Sequence, residues 1–501
     1  MAEETWHAAR LIPTSGISGA EEQERRATSA LLAVLSAVKE FNRSMLGPLG
    51  APAGNVEAFI EVPFKLGDRD YRPDGLIRVS RGSKTWTALV EVKTGKNSLA
   101  AEQLEAYLDI AKEHGFDALI TISNEIPPSA DHHPTSIDKR KLRKVTMTHL
   151  SWADILSCAV LQKEHRGVSD PDQAWILGEL IRYLEHPKSG AMEFEDMGAD
   201  WVPVREAVAA GTLRPTDRTI ADVVARFDAL LRYSALNLGR RLGTDVTLQL
   251  SRKERADPTL RAQALCTSLV EAGSLTGFIR IPGTVGDIKV TVDLRASRIT
   301  CELDIEAPRA GRPATRVNWL VRQLKQAPET LRVEATALNQ RGPGAAELLR
   351  LVREDPQVLV VDATKEIRSF TVALSVPMGA KRGRGRGAFI DSVMGAIDSF
   401  YESVVQHLKA WSAAPPKLRS EVEPPPEIRS SLSSTALSSQ DGTEPVIESP
   451  DEPAGEAGEL AEAVAVVADG PKEAGWYDDP EGVAVSRFWD GDGWTSRIRM
   501  T

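Results

Sequence analysis

The chain has little that would commit it to a membrane, a disulfide scaffold or a repeat array. Its 501 residues include only three cysteines, Cys158, Cys266 and Cys301. They are too few and too scattered for a disulfide framework or a four-ligand zinc site, and a reducing, cytoplasmic setting is the expectation. No apolar run approaches the ~18 residues of a membrane-spanning helix, so no membrane span is expected. Met1 to Arg10 is polar and is followed by Pro13 and Gly16, unlike a secretory leader. No period marks a solenoid or propeller. Apolar residues at 42% and charged residues at 26% fit a globular chain, and its length suggests about two to four domains.

Basic character is also scarce overall, but the imbalance is local. Residues 421–480 hold 15 Asp or Glu and 2 Lys or Arg, a charge of −13 within a chain of −10. The remainder therefore carries about +3 and is compatible with a polyanionic partner. The acidic stretch lies in a segment, 412–474, rich in Pro, Ser, Glu and Ala, including Pro424-Pro425-Pro426. Such composition cannot build a core, so a disordered linker is expected. Before it come a region to about 165 and another over 166–411.

The first region reads as helix, three strands, helix, strand, strand, helix. Ala27, Leu31, Val34, Leu35, Val38, Phe41 and Met45 place an apolar stripe along Glu21 to Leu46, and Gly47-Pro48 stops the helix. Strands are expected at Glu57–Phe64, Tyr71–Val79, Thr85–Lys93, Phe116–Ile122 and Val145–Leu150. Leu99 to His114 reads as an amphipathic helix closed by Gly115, and Ser151 as the cap of a last helix.

Arg81-Gly82-Ser83-Lys84 is a hairpin signal, and glycine at the first turn position suits type II′. A two-residue turn centred on Gly82-Ser83 sets Asp74 opposite Glu91, with Cβ atoms ~5 Å apart. Lys93 then shares the face of Glu91, and Val92 turns away. Facing carboxylates repel unless a cation or proton lies between them. Oxygen ligation suits Mg²⁺ or Mn²⁺, which could also take the Val92 backbone carbonyl. Such an ion would polarise a phosphodiester and acidify a water, with Lys93 orienting that water or neutralising the phosphate. The competing reading is a strand pair salt-bridged through Lys93 on a solvated hairpin.

Pro73-Asp74 followed by Glu91-Val92-Lys93, in this order of elements, resembles the PD-(D/E)XK nuclease superfamily. The resemblance covers about 140 residues. It implies a restriction-endonuclease-like αβββαβ core, metal ligation by Asp74 and Glu91, and a catalytic Lys93. Gln103 and Tyr107, one helical turn apart, look like the supporting glutamine and tyrosine of the RecB-like branch. Glu24, one turn before Ala27, matches the acid that some members add from the first helix. It also reads as a helix N-terminal acid favoured by the macrodipole.

Lys139, Arg140, Lys141, Arg143 and Lys144 form a basic run that could hold a phosphate backbone or be a solvated loop. Lys381 to Gly387, with Arg382, Arg384 and Arg386, carries the same two readings. His132-His133 lacks partners at ligand spacing. The region over 166–411 reads as an α+β domain, with a helix at Pro171–Leu184, a hairpin of Ile288–Leu294 and Ile299–Ile305, a helix at Thr315–Gln326, strands at Thr330–Leu338 and Ser369–Val376, and a closing helix at Phe389–Trp411. Gly475 to Thr501, with Trp476, Trp489 and Trp494, is similar to a small tryptophan-rich module of unknown function common in actinobacterial proteins. It reads as a β-rich docking head for a protein partner.

The fold expectation is thus an α/β nuclease-like core, an α+β domain, a disordered acidic linker and a small β-rich tryptophan module. The functional expectation is a Mg²⁺- or Mn²⁺-dependent nuclease acting on nucleic acid, with DNA the first choice. The alternative is a noncatalytic nuclease-like fold that binds nucleic acid or a nucleotide signal.

Overall fold

The computed structural model describes residues 11–12, 19–129 and 132–413, together with the strands between 475 and 499. The chain divides into two compact units, Met1–Pro416 and Lys417–Thr501. Both regions expected before residue 411 fall in the first unit. The linker expected over 412–474 lies outside the described residues, apart from 412 and 413. The whole is a mixed α/β protein with several sheets. Among the described residues, no helix is long and apolar enough to cross a membrane.

The first half begins with α1 (Ala20–Ala37) and α2 (Lys39–Leu46). The apolar stripe is buried as its period predicts, but the helix is not continuous. Val38 adopts φ −106 and ψ 102, and the backbone re-enters helix so that Phe41 and Met45 still face the core. Then come β1 (Asn55–Ile60), a small hairpin of β2 (Phe64–Leu66) and β3 (Arg69–Tyr71), β4 (Gly75–Arg81) and β5 (Lys84–Val92). The single strand expected over Glu57–Phe64 ends early because Glu61 turns to φ 51. The strand expected from Tyr71 is likewise interrupted before Gly75.

After β5 follow α3 (Ala101–Glu113), β6 (Ala118–Ser123), β7 (Thr146–Ser151), α4 (Trp152–Val160) and α5 (Pro171–Leu184). Ser151 and Asp154 form a reciprocal capping box at α4. The main sheet runs β1-β4-β5-β6-β7, antiparallel as far as β5 and parallel beyond it.

Strand alternation sends the two faces to different partners. Ile77, Val90, Val92, Ile120 and Ile122 pack with α1, α2, α4 and α5. Leu76, Leu89 and Leu119 pack with Leu104, Tyr107 and Leu108 of α3. Helix α5 has the bounds its pattern predicts, but Leu177, Leu180 and Tyr183 join this first core. The sequence had placed it at the head of the second region. Gly75 permits the closest approach of α1 to the sheet, since a Cβ there would lie 2.6 Å from Leu32 Cδ1.

The second half holds α6 (Trp201–Ala210), α7 (Thr219–Leu242), β8 (Thr247–Leu248), α8 (Arg252–Ala256), α9 (Pro258–Glu271), β9 (Ser274–Arg280), β10 (Ile288–Asp293) and β11 (Arg298–Glu306). It continues with α10 (Pro313–Gln323), β12 (Arg332–Ala337), β13 (Ala345–Leu348), α11 (Leu349–Glu354), β14 (Ile367–Pro377) and α12 (Phe389–Ser403). Its sheet, in the order β13-β12-β14-β11-β10-β9-β8, is antiparallel throughout. The closing helix stops at Ser403, well short of Trp411, where Val404 leaves the helical region. Arg232 of α7 joins the halves, donating to Asp154 Oδ1 at 2.7 Å and the Pro127 carbonyl at 2.6 Å. The second unit contributes an antiparallel sheet of β15 (Gly475–Asp478), β16 (Ser486–Trp489) and β17 (Trp494–Arg499).

Helix α7 is fastened to α9 by a buried bidentate pair, Arg261 to Asp228, at 2.5 and 2.7 Å. Replacing Arg261 with Met strands the Asp228 carboxylate and is expected to cost about 3–5 kcal/mol. The double change D228L/R261M should recover much of that loss. Urea denaturation of the three proteins measures both effects.

Candidate active site

The hairpin of β4 and β5 pairs Gly75 with Val90 and Arg81 with Lys84, the register its turn predicts. Gly82 has φ 60 and Ser83 is not among the positive-φ residues, as a type II′ turn requires. One step beyond Gly75 and Val90, Asp74 therefore comes opposite Glu91. The row continues across the sheet, because Glu91 pairs with Thr121 and Thr121 with His149. Glu91 lies two residues beyond Leu89, and Thr121 two beyond Leu119, so the row lies on the α3 face of the sheet.

Asp74 Oδ2 accepts the Val92 N–H at 2.7 Å, which fixes one carboxyl against the neighbouring strand. Glu91 is 1% exposed and gives Oε1 to the Lys93 ammonium at 2.7 Å. Its Oε2 is buried without a hydrogen-bond partner. Lys93 Nζ also donates to Glu24 Oε1 at 3.0 Å and to the Val92 carbonyl at 3.0 Å. The Lys93 backbone is held on both sides, its N–H by the Ile122 carbonyl at 2.7 Å and its carbonyl by Trp152 Nε1 at 3.0 Å. Ending a central strand between these two anchors gives the ammonium a defined origin.

Crowding of the acids dominates the electrostatics. Burial, then the charge of Asp74, pushes Glu91 up to about 8 against the pull of Lys93. Burial also raises Asp74, although the Val92 N–H opposes it. Burial alone would lower Lys93, but Glu91, Asp74 and Glu24 together hold it above its ordinary value. Tyr107 is raised by burial and by the nearby Glu91 charge. Gln103 Nε2 donates to Tyr107 Oη at 3.0 Å, and the Tyr71 ring packs edge-on at 6.3 Å. Gln103 and Tyr107 thus lie beside the carboxylates.

The basic run has a different place. Lys141 is engaged by Asp109 at 2.7 Å and Glu105 at 3.7 Å on the flank of α3, while Lys139, Arg140, Arg143 and Lys144 are exposed. Glu40 is turned away from the site and accepts the Ser169 N–H at 3.2 Å.

Composition gave no hint of a polar chain at the end of the row. Thr135 N–H donates to His133 Nδ1 at 3.0 Å, so His133 Nε2 carries the proton it shares with Thr121 Oγ1 at 2.8 Å. Thr121 in turn donates to His149 Nδ1 at 3.0 Å, leaving His149 Nε2–H for the Glu125 carbonyl at 3.0 Å. Burial lowers His149 to about 4, so it is neutral. Parallel register alone makes Thr121 and His149 neighbours of Glu91, and sequence carries no sign of it.

Among the described residues, a cavity of about 110 Å³ opens beside Asp74, lined by Glu21, Glu24, Arg25, Thr28, Ile60 and Glu61. The larger cavities of the unit lie elsewhere, such as one of about 810 Å³ around Asp304, Arg316 and Arg368.

Residues 474–500 match the family described as a protein of unknown function, DUF2510. No curated protein matches the chain. The family match falls on the β15–β17 sheet and leaves the carboxylate row to be judged by its chemistry.

That chemistry sets limits. Among the described residues, no group of three or more His, Cys, Asp or Glu side chains is arranged to hold a metal ion. The candidate donors are the Asp74 and Glu91 carboxylates, the Val92 carbonyl and Glu24, and Lys93 Nζ already bonds Glu91 Oε1, Glu24 Oε1 and the Val92 carbonyl, so an ion would have to displace that ammonium. An all-oxygen set of this size fits an ion that keeps several waters, and the orphaned Glu91 oxygen is a group such an ion would satisfy.

A carboxyl raised from its unfolded value to about 8 binds more protons in the folded state. Its contribution to stability is therefore complete at low pH and is lost as pH rises between those values. Replacing Glu91 with Gln keeps the Lys93 acceptor and removes the titration. In EDTA, E91Q is expected to gain stability over the native chain at about pH 8, with the gap closing toward about pH 5. Urea denaturation across that range measures it.

Proposed function

We propose that the first region is a Mg²⁺- or Mn²⁺-dependent phosphodiesterase acting on nucleic acid, with DNA the first substrate to test. The observation that carries the reading is the side-by-side pair of Asp74 and Glu91 at the ends of adjacent strands, with the Lys93 ammonium 2.7 Å from Glu91 and a second buried Glu91 oxygen unsatisfied. Crowded acids with a spare oxygen are poised for a cation. Support also comes from the resemblance of Pro73-Asp74 and Glu91-Val92-Lys93 to the PD-(D/E)XK pattern, and from the arrangement of α1, the mixed sheet and α3 around them.

The residues divide the work. A divalent ion held by Asp74, Glu91 and the Val92 carbonyl would polarise the phosphodiester and acidify an attacking water. Asp74 is oriented by the Val92 N–H. Lys93, once such an ion relieves the Glu91 charge, is free to turn its ammonium toward a phosphate oxygen or the attacking water. Glu24 keeps that ammonium at the mouth of the site, and the Gln103–Tyr107 pair closes the α3 side.

One observation favours a second reading. Lys93 already bridges Glu91 and Glu24, so the charges form a closed internal network. A protein that only binds nucleic acid or a nucleotide signal would need no more, with the DUF2510-like module docking a protein partner.

Labelled single- and double-stranded DNA and RNA, each with Mg²⁺, Mn²⁺ or EDTA, separate these readings. The nuclease reading expects cleavage in metal that D74A or K93A lowers by roughly two to three orders of magnitude. It also expects Mn²⁺ to raise the melting temperature of the native chain and not of D74A. Cleavage that survives both substitutions removes it, and salt-sensitive binding without turnover in either metal selects the second reading.

A further inference from the structure

The loop after β6 touches three parts of the unit. His133 meets Thr121 of the carboxylate row at 2.8 Å. The Asp138 N–H donates to Glu105 of α3 at 3.2 Å, and Lys141 ties to Asp109. On the far side, the buried His132 shares a hydrogen bond with the Arg255 carbonyl of α8 at 3.3 Å. Helix α8 is a single turn, so Arg252 and Lys253 lie within ~5 Å of Arg255 along its axis. Asp257, held below its usual range by Thr259, also feels the charge of Lys139. Two segments more than a hundred residues apart therefore meet, at His132 with Arg255 and at Lys139 near Asp257.

The exposed cations of these segments form no close ion pair among the described residues, although Lys139 lies near Asp257, and the nearby acids are engaged. Lys139, Arg140, Arg143, Lys144, Arg252 and Lys253 are exposed, and among the described residues no carboxylate forms an ion pair with them. Asp138 accepts the Arg140 N–H, Glu254 completes the Ser251 capping box, and Asp257 caps α9. Fixed acids that face backbone donors leave the outward charge positive. Exposed arginines and lysines in such an array suit a regularly spaced polyanion, which releases its counterions on contact.

We infer that the loop 138–144 and helix α8 form one surface that binds the sugar–phosphate backbone of nucleic acid, so that the second region holds the strand whose phosphodiester enters the carboxylate row. The inference rests on the proposed action on nucleic acid and adds a binding role for the second region. The loop alone could have been a solvated turn. Its contact with α8 through His132, and its internal tie to the row through His133 and the buried Thr121, fix the loop relative to both.

The test uses the full chain in EDTA, where binding is read without turnover. Fluorescence anisotropy with a labelled short duplex, across about 50–200 mM salt, gives affinity and its salt slope. Both R252Q/K253Q and R140Q/R143Q/K144Q are expected to weaken binding several-fold and to flatten the log–log slope, by about 2 and about 3 respectively, since each lost phosphate contact removes about 0.9. Thermal unfolding should not change, because these side chains are exposed. Native affinity and slope in R252Q/K253Q would overturn the inference while leaving the nuclease reading intact. Displacement of the duplex by polyglutamate at equal charge would overturn it too, in favour of an acidic protein partner. Patch-dependent binding with no cleavage in Mg²⁺ or Mn²⁺ would support the surface and sink the nuclease reading.

Discussion

Two acidic groups brought together at the ends of β4 and β5 are the constraint around which the first half is built. At an effective dielectric of about 20, like charges 4 Å apart repel by about 4 kcal/mol. The fold answers this from several directions. The Val92 N–H stabilises Asp74, the Lys93 ammonium stabilises Glu91, and Glu24 holds that ammonium from α1. Trp152 and the β6 backbone fix the stem of Lys93. None of these groups relieves the buried second oxygen of Glu91. The site thus gathers several donors around its acids and still leaves one buried acceptor without a hydrogen-bond partner.

The same constraint explains how the rim is fastened. Gly190 presents its carbonyl to Gly95 N–H at 3.0 Å and to Asn124 at 2.8 Å. It does so at φ 83, where a Cβ would press on Gln23 and Thr94 at under 3 Å. The segment after α5 thus crosses the ends of β5 and β6 next to Lys93. Continuing from there, Met197 N–H meets the Arg382 carbonyl at 2.9 Å, and Asp196 and Glu193 approach Arg382 and Arg384. The arginine–glycine run that looked free in sequence is tethered by acids, Asp391 among them.

Local signals were legible where one interaction decides the outcome. The Gly82-Ser83 turn sets the β4–β5 register by itself, and with it the pairing of Asp74 and Glu91. The 3.6-residue period sets which side of α1 is buried, and the Ser151 box starts α4. What could not be read depends on partners distant in sequence. Periodicity survives the break at Val38 because both halves keep the stripe, so the break is invisible. Helix α7, the longest among the described residues, is buried around much of its circumference, with Asp228, Tyr233 and Ser234 among the buried positions. Its stripe of Ile220, Val223, Val224, Phe227, Leu231, Ala235 and Leu238 at helical spacing is as regular as those of the other helices, so the helix itself was legible, and only the buried polar positions depend on distant partners. The row from Glu91 to Thr121 and His149 follows from parallel pairing across crossovers, which no turn specifies.

The place of α5 bears on how the two halves act together. Its apolar residues complete the first core, while the chain that follows reaches directly into the second. Arg232, nearly buried, then locks α7 to the Asp154 that caps α4, and Trp152 at the start of α4 holds Lys93. The start of α4 thus links the helix scaffold of the second half, through Arg232, to the Lys93 backbone beside the carboxylates, through Trp152. Such a link favours rigid placement over hinge motion, because moving α7 would break the largely buried Arg232–Asp154 pair. If α8 binds nucleic acid as proposed, such placement would hold the strand at a fixed distance from the acids, which positioning a phosphodiester would require.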